Sequence, residues 1–129
     1  MKRLSIVSAI ALFLVAGVLP ARAHHAFEAE YDANKVVNLT GFVTKVDWIN
    51  PHAYVFLDTT ADDGTVTNFR VEMGPPYALL RGGWKKDTLK IGDKVTVEKA
   101  ALAKDGSHTA GSMPTTRMVL SSGQRLVMR

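Results

Sequence analysis

Alternation of apolar and polar residues is the main pattern of this chain, and it predicts a mainly β protein. In residues 36–49 the apolar side chains occupy mostly odd positions as far as Val43 and even positions from Val46 onwards. Since successive side chains of a strand point to opposite faces, this change predicts a strongly bent first strand. Gly41 lies just before the change, where glycine permits another strand to approach closely.

The same alternation recurs in five later segments, separated by turn residues. The predicted strands are residues 36–49, 53–59, 65–73, a fourth segment around 95–97, 115–120 and a short terminal strand at 124–128. Asn50-Pro51 and Asp63-Gly64 mark the first two turns. Between strands three and four, Pro75-Pro76 and Gly82-Gly83 enclose a run with Ala-Leu-Leu, which predicts one short helix.

This order of elements predicts a small OB-type barrel of five to six strands, with one short helix between strands three and four. A small sandwich of six strands is the alternative fold. The bent first strand and the position of the helix favour the barrel. Trp84 directly follows the helix and is predicted to pack back on the core.

The amino-terminal residues have the pattern of a secretory signal peptide. Lys2 and Arg3 precede an apolar run over residues 4–19, and Ala21-Arg22-Ala23 fits the cleavage pattern of small residues. The run is shorter than the roughly 20 residues of a membrane-spanning helix, so we expect no stable membrane anchor after processing. The predicted organisation is a signal peptide at 1–23, an amino-terminal arm at 24–35 and the barrel at 36–129. We therefore expect a periplasmic or secreted protein.

The charge and the cysteine content argue against some classes of function. The full chain has 16 basic and 12 acidic residues, a net charge of +4. Three of the basic residues lie in the predicted signal peptide, so the processed chain carries 13 basic and 12 acidic residues, a net charge of +1. This balance gives no support for nucleic-acid binding. The chain has no cysteine, which excludes disulfides and thiolate chemistry.

Four short motifs resemble a family of small exported bacterial proteins that is classed as a domain of unknown function. The motifs are His24-His25-Ala26-Phe27, Trp48-Ile49-Asn50-Pro51-His52-Ala53, Leu79-Leu80-Arg81-Gly82-Gly83-Trp84 and Leu89-Lys90-Ile91-Gly92-Asp93. The likeness covers most of the processed chain, and its most specific parts are the His-His start and the later Asn-Pro-His. It implies an envelope location and a small β-barrel-like domain, and it implies no particular activity.

Three histidines are the candidate metal ligands. After cleavage behind Ala23, His24 would offer an α-amine and an imidazole, and His52 could add a third nitrogen to form a site of the histidine-brace kind. Copper(II) favours such tetragonal nitrogen coordination. His25 is a competing third ligand. Zinc is the alternative metal, with a carboxylate from one of three acidic residues: Glu28, Glu30 or Asp32. The simpler alternative is a solvated chain end and a structural turn histidine.

No nucleophile motif or carboxylate pair predicts catalysis, and we expect no enzyme. The main hypothesis is a non-enzymatic exported binding module for an oligosaccharide, another small envelope ligand or an envelope protein, without nucleic acid as a partner. Tyr54, Arg70 and Trp84 are the predicted ligand contacts. The alternatives are a copper-handling protein and, third, a copper-dependent oxidoreductase, both using the histidine ligands.

Overall fold

The computed structural model describes residues 26–129, of which residues 26–30 are helical and Tyr31–Arg129 form a compact, mainly β unit. The elements of that unit are β1 (Tyr31–Asp47), β2 (Tyr54–Thr60), β3 (Val66–Glu72), α1 (Pro76–Arg81), β4 (Lys94–Ala103), β5 (Thr109–Gly111), β6 (Arg117–Val119) and β7 (Arg125–Val127). Within the described residues, no helix has the length and apolar character needed to span a membrane.

Five of the strands close into a ring, and this ring is the barrel. β1 pairs with β2 and with β4, β2 pairs with β3, and β4 pairs with β5, all antiparallel. The ring closes through β3 and β5, which run parallel. The hairpin of β6 and β7 continues the sheet from β4. With α1 between β3 and β4, this confirms the predicted OB-type barrel.

The bend in β1 lies where the sequence predicts it. The pairing of β1 with β2 shifts register between Val43 and Lys45, which is a β-bulge. The extra residue reverses which side chains face inwards, so buried Val43 precedes the bulge and Val46 packs against the core after it. Gly41 permits the close approach of β2, because a Cβ at this position would lie 2.2 Å from the carbonyl oxygen of Asp58.

A continuous apolar core fills the barrel and extends beneath α1. Its fully buried members include Val55, Leu57, Val71, Leu79, Val97, Met118 and Met128. Trp84 packs into the same core with 3% of its surface exposed, as predicted, and its indole Nε1 donates a hydrogen bond to the carbonyl oxygen of Val127 at 2.6 Å. This bond joins the segment after α1 to β7.

The start of the first strand and the identity of the strand that closes the ring differ from the prediction. β1 begins at Tyr31 rather than at Val36, because its first residues pair with the end of β4. The strand that closes the ring is β5 (Thr109–Gly111), which the sequence pattern missed, whereas the predicted fifth strand at 115–120 corresponds to β6 outside the ring. β5 is three residues long and contains Ala110 and Gly111, so it has no alternation to detect.

Candidate functional site

The outer surface of the first three strands carries a set of aromatic, charged and amide side chains. Directly opposite residues of an antiparallel pair share one face of the sheet. We call this set the β2–β3 face, and it consists of Phe42, Lys45 and Asp47 of β1, Tyr54, Phe56 and Asp58 of β2, and Asn68, Arg70 and Glu72 of β3. Their neighbours Val55, Leu57 and Val71 point inwards and anchor the face to the core.

Two aromatic rings of this face each carry a cation. The guanidinium carbon of Arg70 lies 5.1 Å from the ring centre of Tyr54, and Nζ of Lys45 lies 5.0 Å from the ring centre of Phe56. Lys45 also forms a 3.0 Å ion pair with Asp47. Cations over aromatic rings are attracted by the negative face of the ring. The rings and cations are therefore held side by side across three strands.

Hydrogen bonds order the polar part of the β2–β3 face. Nδ2 of Asn68 donates to Oδ1 of Asp58 at 2.8 Å and to Oγ1 of Thr44 at 3.0 Å. The Thr44 hydroxyl in turn donates to the carbonyl oxygen of Phe56 at 3.3 Å. A carboxylate, an amide and a hydroxyl thus lie next to the aromatic rings. This combination can hydrogen-bond a ligand while the rings contact its apolar parts.

One carboxylate at the edge of the face joins three elements of the chain. Glu72 lies at the end of β3, and its Oε1 is 2.7 Å from Nδ1 of His52. Its Oε2 accepts a 2.7 Å hydrogen bond from the hydroxyl of Tyr31. Tyr31 is 2% exposed, whereas the side chain of His52 is 35% exposed. Glu72 therefore tethers a surface histidine to a buried tyrosine.

This contact also sets the orientation of the His52 ring. With Nδ1 directed at Glu72, the other ring nitrogen, Nε2, points away from that carboxylate. Histidines that bind metals commonly donate their second ring N–H to a carboxylate, which fixes the tautomer and the ring orientation. Sequence patterns missed Glu72 and Tyr31, because these residues are 41 positions apart and neither belongs to a local motif.

The predicted site residues differ in where the structure places them. Tyr54 and Arg70 come together on the β2–β3 face, as their cation–aromatic contact shows. Trp84 lies in the core with its indole N–H bonded to backbone, so it does not belong to that face. His24 and His25 lie outside the described residues. Over residues 26–129, no group of three or more histidine or acidic side chains is placed to hold a metal ion.

The ring of five strands and its aromatic and polar outer face define the chain as a small OB-type barrel protein. Residues 11–112 match the model of a family of unknown function, DUF6152, and the chain belongs to this family. The predicted membership of an uncharacterised family is thereby confirmed. No curated protein matches the chain, and no solved structure matches it.

Proposed function

We propose that this protein is a non-enzymatic, exported binding module that holds an oligosaccharide on the β2–β3 face. The observation that carries the proposal is the pair of cation–aromatic contacts, Arg70 on Tyr54 and Lys45 on Phe56, beside the hydrogen-bonded Asp58 and Asn68. Sugars present C–H groups that pack on aromatic rings and hydroxyls that bond to carboxylates and amides. The outer face of strands two and three is also the surface with which OB-type barrels bind oligosaccharides.

The charges of the face favour a sugar over a nucleic acid. Proteins that bind single-stranded nucleic acid combine stacking aromatic rings with a positively charged groove. Here the two cations, Lys45 and Arg70, are accompanied by the three carboxylates of Asp47, Asp58 and Glu72. These carboxylates would repel phosphates, whereas they accept hydrogen bonds from sugar hydroxyls.

The test is a titration of the purified protein with maltohexaose, cellohexaose and chitohexaose, followed by amide NMR shifts and calorimetry. A twelve-residue single-stranded DNA serves as the nucleic-acid probe. We expect shifts on β2 and β3 with at least one hexasaccharide and none with DNA. Phe56→Ala should weaken the binding about tenfold or more, the equivalent of about 1.4 kcal/mol.

Tyr77→Ala is the matched control for this variant. Tyr77 is 62% exposed and carries Arg81 at 5.7 Å from its ring centre, so it has the same type of cation–aromatic pair on α1, which contributes no residue to the β2–β3 face. Its removal should leave the affinity unchanged. The proposal is wrong if no hexasaccharide binds, if DNA binds more tightly than the sugars, or if Phe56→Ala binds like Tyr77→Ala.

Copper(II) binding is the second proposed function, and the contact between His52 and Glu72 supports it. The 2.7 Å distance from Nδ1 to the carboxylate suits a histidine that offers Nε2 to a metal. The further nitrogen ligands that the sequence predicts are His24 and His25, with the chain cleaved after Ala23. The chemistry that such a nitrogen set supplies is tight binding of copper(II).

Native mass spectrometry of the exported protein with and without copper(II) tests this second function. We expect one retained ion, its loss when an extra residue precedes His24, and weaker retention in His52→Ala. His108→Ala is the control, because His108 is an exposed histidine whose ring contacts Phe69, with the ring centres 5.4 Å apart. Equal uptake by all these variants would eliminate the site. Turnover of peroxide or oxygen by the copper-loaded protein would indicate the oxidoreductase alternative.

A further inference from the structure

A cleft opens where β1 and β2 separate. The pairing of β1 with β2 begins at Gly41 opposite Thr59, whereas β1 continues towards its amino end against β4. On the other side, β2 remains paired with β3 as far as Thr60 opposite Val66. From Gly41 towards the amino end of β1, the strand therefore separates from β2 and stays paired only with β4. The resulting cleft has a volume of about 410 Å³, which lies within the usual range for small-molecule sites.

The lining of this cleft combines polar and apolar groups and carries no charged side chain among the described residues. Its polar side chains are Asn38, Thr40, Thr59, Thr60 and Thr67. Leu39 and Phe69 supply apolar contact area, and both belong to the core or pack against it. A lining without a charged side chain offers an ionic ligand no partner for an ion pair. A neutral ligand with one apolar side and several hydrogen-bonding groups fits the lining.

The hydrogen bonds already present show which lone pairs of Thr59 are open to a ligand. The Thr59 hydroxyl donates to the carbonyl oxygen of Thr67 at 3.1 Å, and the hydroxyls of Thr40 and Thr96 share a 2.9 Å bond. A hydroxyl has one donor hydrogen and two acceptor lone pairs. The oxygen of Thr59 therefore still accepts hydrogen bonds after its donor hydrogen is engaged. Sugar hydroxyls supply such donors, whereas carboxylates and phosphates bring only acceptors.

The cleft lies next to the β2–β3 face. Thr40 and Thr60 also line a shallow depression of about 230 Å³, and this depression reaches Phe42 and Asp58 of that face. Lys94 lies on β4 opposite Phe42 and forms the far side of this depression. A chain of sugar units can therefore extend from the aromatic rings, past Phe42, into the cleft.

We infer that the cleft between β1 and the β2–β3 hairpin is a second subsite, which binds one neutral sugar unit and discriminates against charged sugars. This inference rests on the proposed oligosaccharide function and adds the substrate class to it. Phe69 packs against the apolar side of the sugar ring, and the threonine oxygens accept hydrogen bonds from its hydroxyls. Binding of a uronic acid is disfavoured, because its carboxylate would face a lining that contains no cation.

Single sugars test the subsite directly. The full protein is titrated with glucose, N-acetylglucosamine and glucuronate while the amide shifts of Thr60, Thr67 and Phe56 are followed. We expect the threonine amides to shift with at least one neutral sugar and to stay still with glucuronate. Thr60→Val, which replaces the hydroxyl by a methyl group, should weaken this binding about threefold to tenfold. Thr115→Val, at an exposed threonine in the turn before β6, is the control and should change nothing.

The outcomes separate this inference from the proposed function. The subsite is refuted if no neutral sugar shifts Thr60 or Thr67, if glucuronate shifts them equally, or if Thr60→Val binds like Thr115→Val. A hexasaccharide that still binds and still depends on Phe56 would then leave the β2–β3 face as the binding site. In the opposite case, single sugars bind at Thr60 and Phe56→Ala leaves hexasaccharide binding unchanged. That result would overturn only the proposal that the β2–β3 face binds the oligosaccharide.

Discussion

Tyr31→Phe should destabilise the barrel through the loss of a single oxygen atom. The Tyr31 hydroxyl is buried and donates to Oε2 of Glu72 at 2.7 Å, so the substitution removes one hydrogen bond to a charged group and hardly changes packing. Such bonds contribute about 1.5–3 kcal/mol. The Glu72 side chain is 12% exposed and can recruit some water, which favours the lower end, about 1.5 kcal/mol.

Urea unfolding followed by tryptophan fluorescence measures this loss, because Trp84 lies in the core and Trp48 packs against it. For a domain of this size, about 1.5 kcal/mol corresponds to a melting temperature lower by roughly 6–12 °C. Tyr77→Phe is the control, since Tyr77 is 62% exposed and its variant should stay within about 0.5 kcal/mol of the parent.

A double-mutant cycle with Glu72→Gln tests whether the carboxylate charge strengthens the bond to the hydroxyl. If the bond to the carboxylate is the source of the effect, Tyr31→Phe should cost about 1 kcal/mol less in the Glu72→Gln background than in the parent. A stability within about 0.5 kcal/mol of the parent for Tyr31→Phe would refute the magnitude. An undiminished loss in the Glu72→Gln background would show that the carboxylate charge is not the source of the effect.

Three further results are expected. Gly41→Ala should destabilise by about 1–3 kcal/mol or more in urea unfolding, since its Cβ would lie 2.2 Å from the backbone oxygen of Asp58; a variant as stable as the parent would contradict the close approach. Leu57→Ala, at a fully buried position, should lose about 2–5 kcal/mol in the same assay. The backbone N–H and the hydroxyl of Thr65 hold the pKa of Asp63 below its ordinary value of 3.8. The hairpin turn should therefore keep this stabilisation above that value and lose it as the pH falls through the lowered pKa, which carboxyl NMR titration measures.

Local patterns determined much of the architecture. The change of apolar face between Val43 and Val46 predicted the bend of β1, and the bulge between Val43 and Lys45 is its physical form. Asp63-Gly64 predicted the β2–β3 hairpin, and the prolines and glycines around Ala78 predicted α1 between β3 and β4. These features depend on residues close in sequence, whose periodicity and turn preferences are local properties of the chain.

The closure of the ring and the composition of the site were decided by tertiary structure. β5 is too short to have a pattern, and it becomes a strand because β3 and β4 offer hydrogen bonds on either side of it. Glu72 meets Tyr31 and His52 only because β1, β3 and the turn before β2 converge, and the indole N–H of Trp84 finds its acceptor only because β7 lies beside it. Such contacts join residues far apart in the chain, where no local periodicity exists, and only the folded path of the backbone brings their atoms within bonding distance.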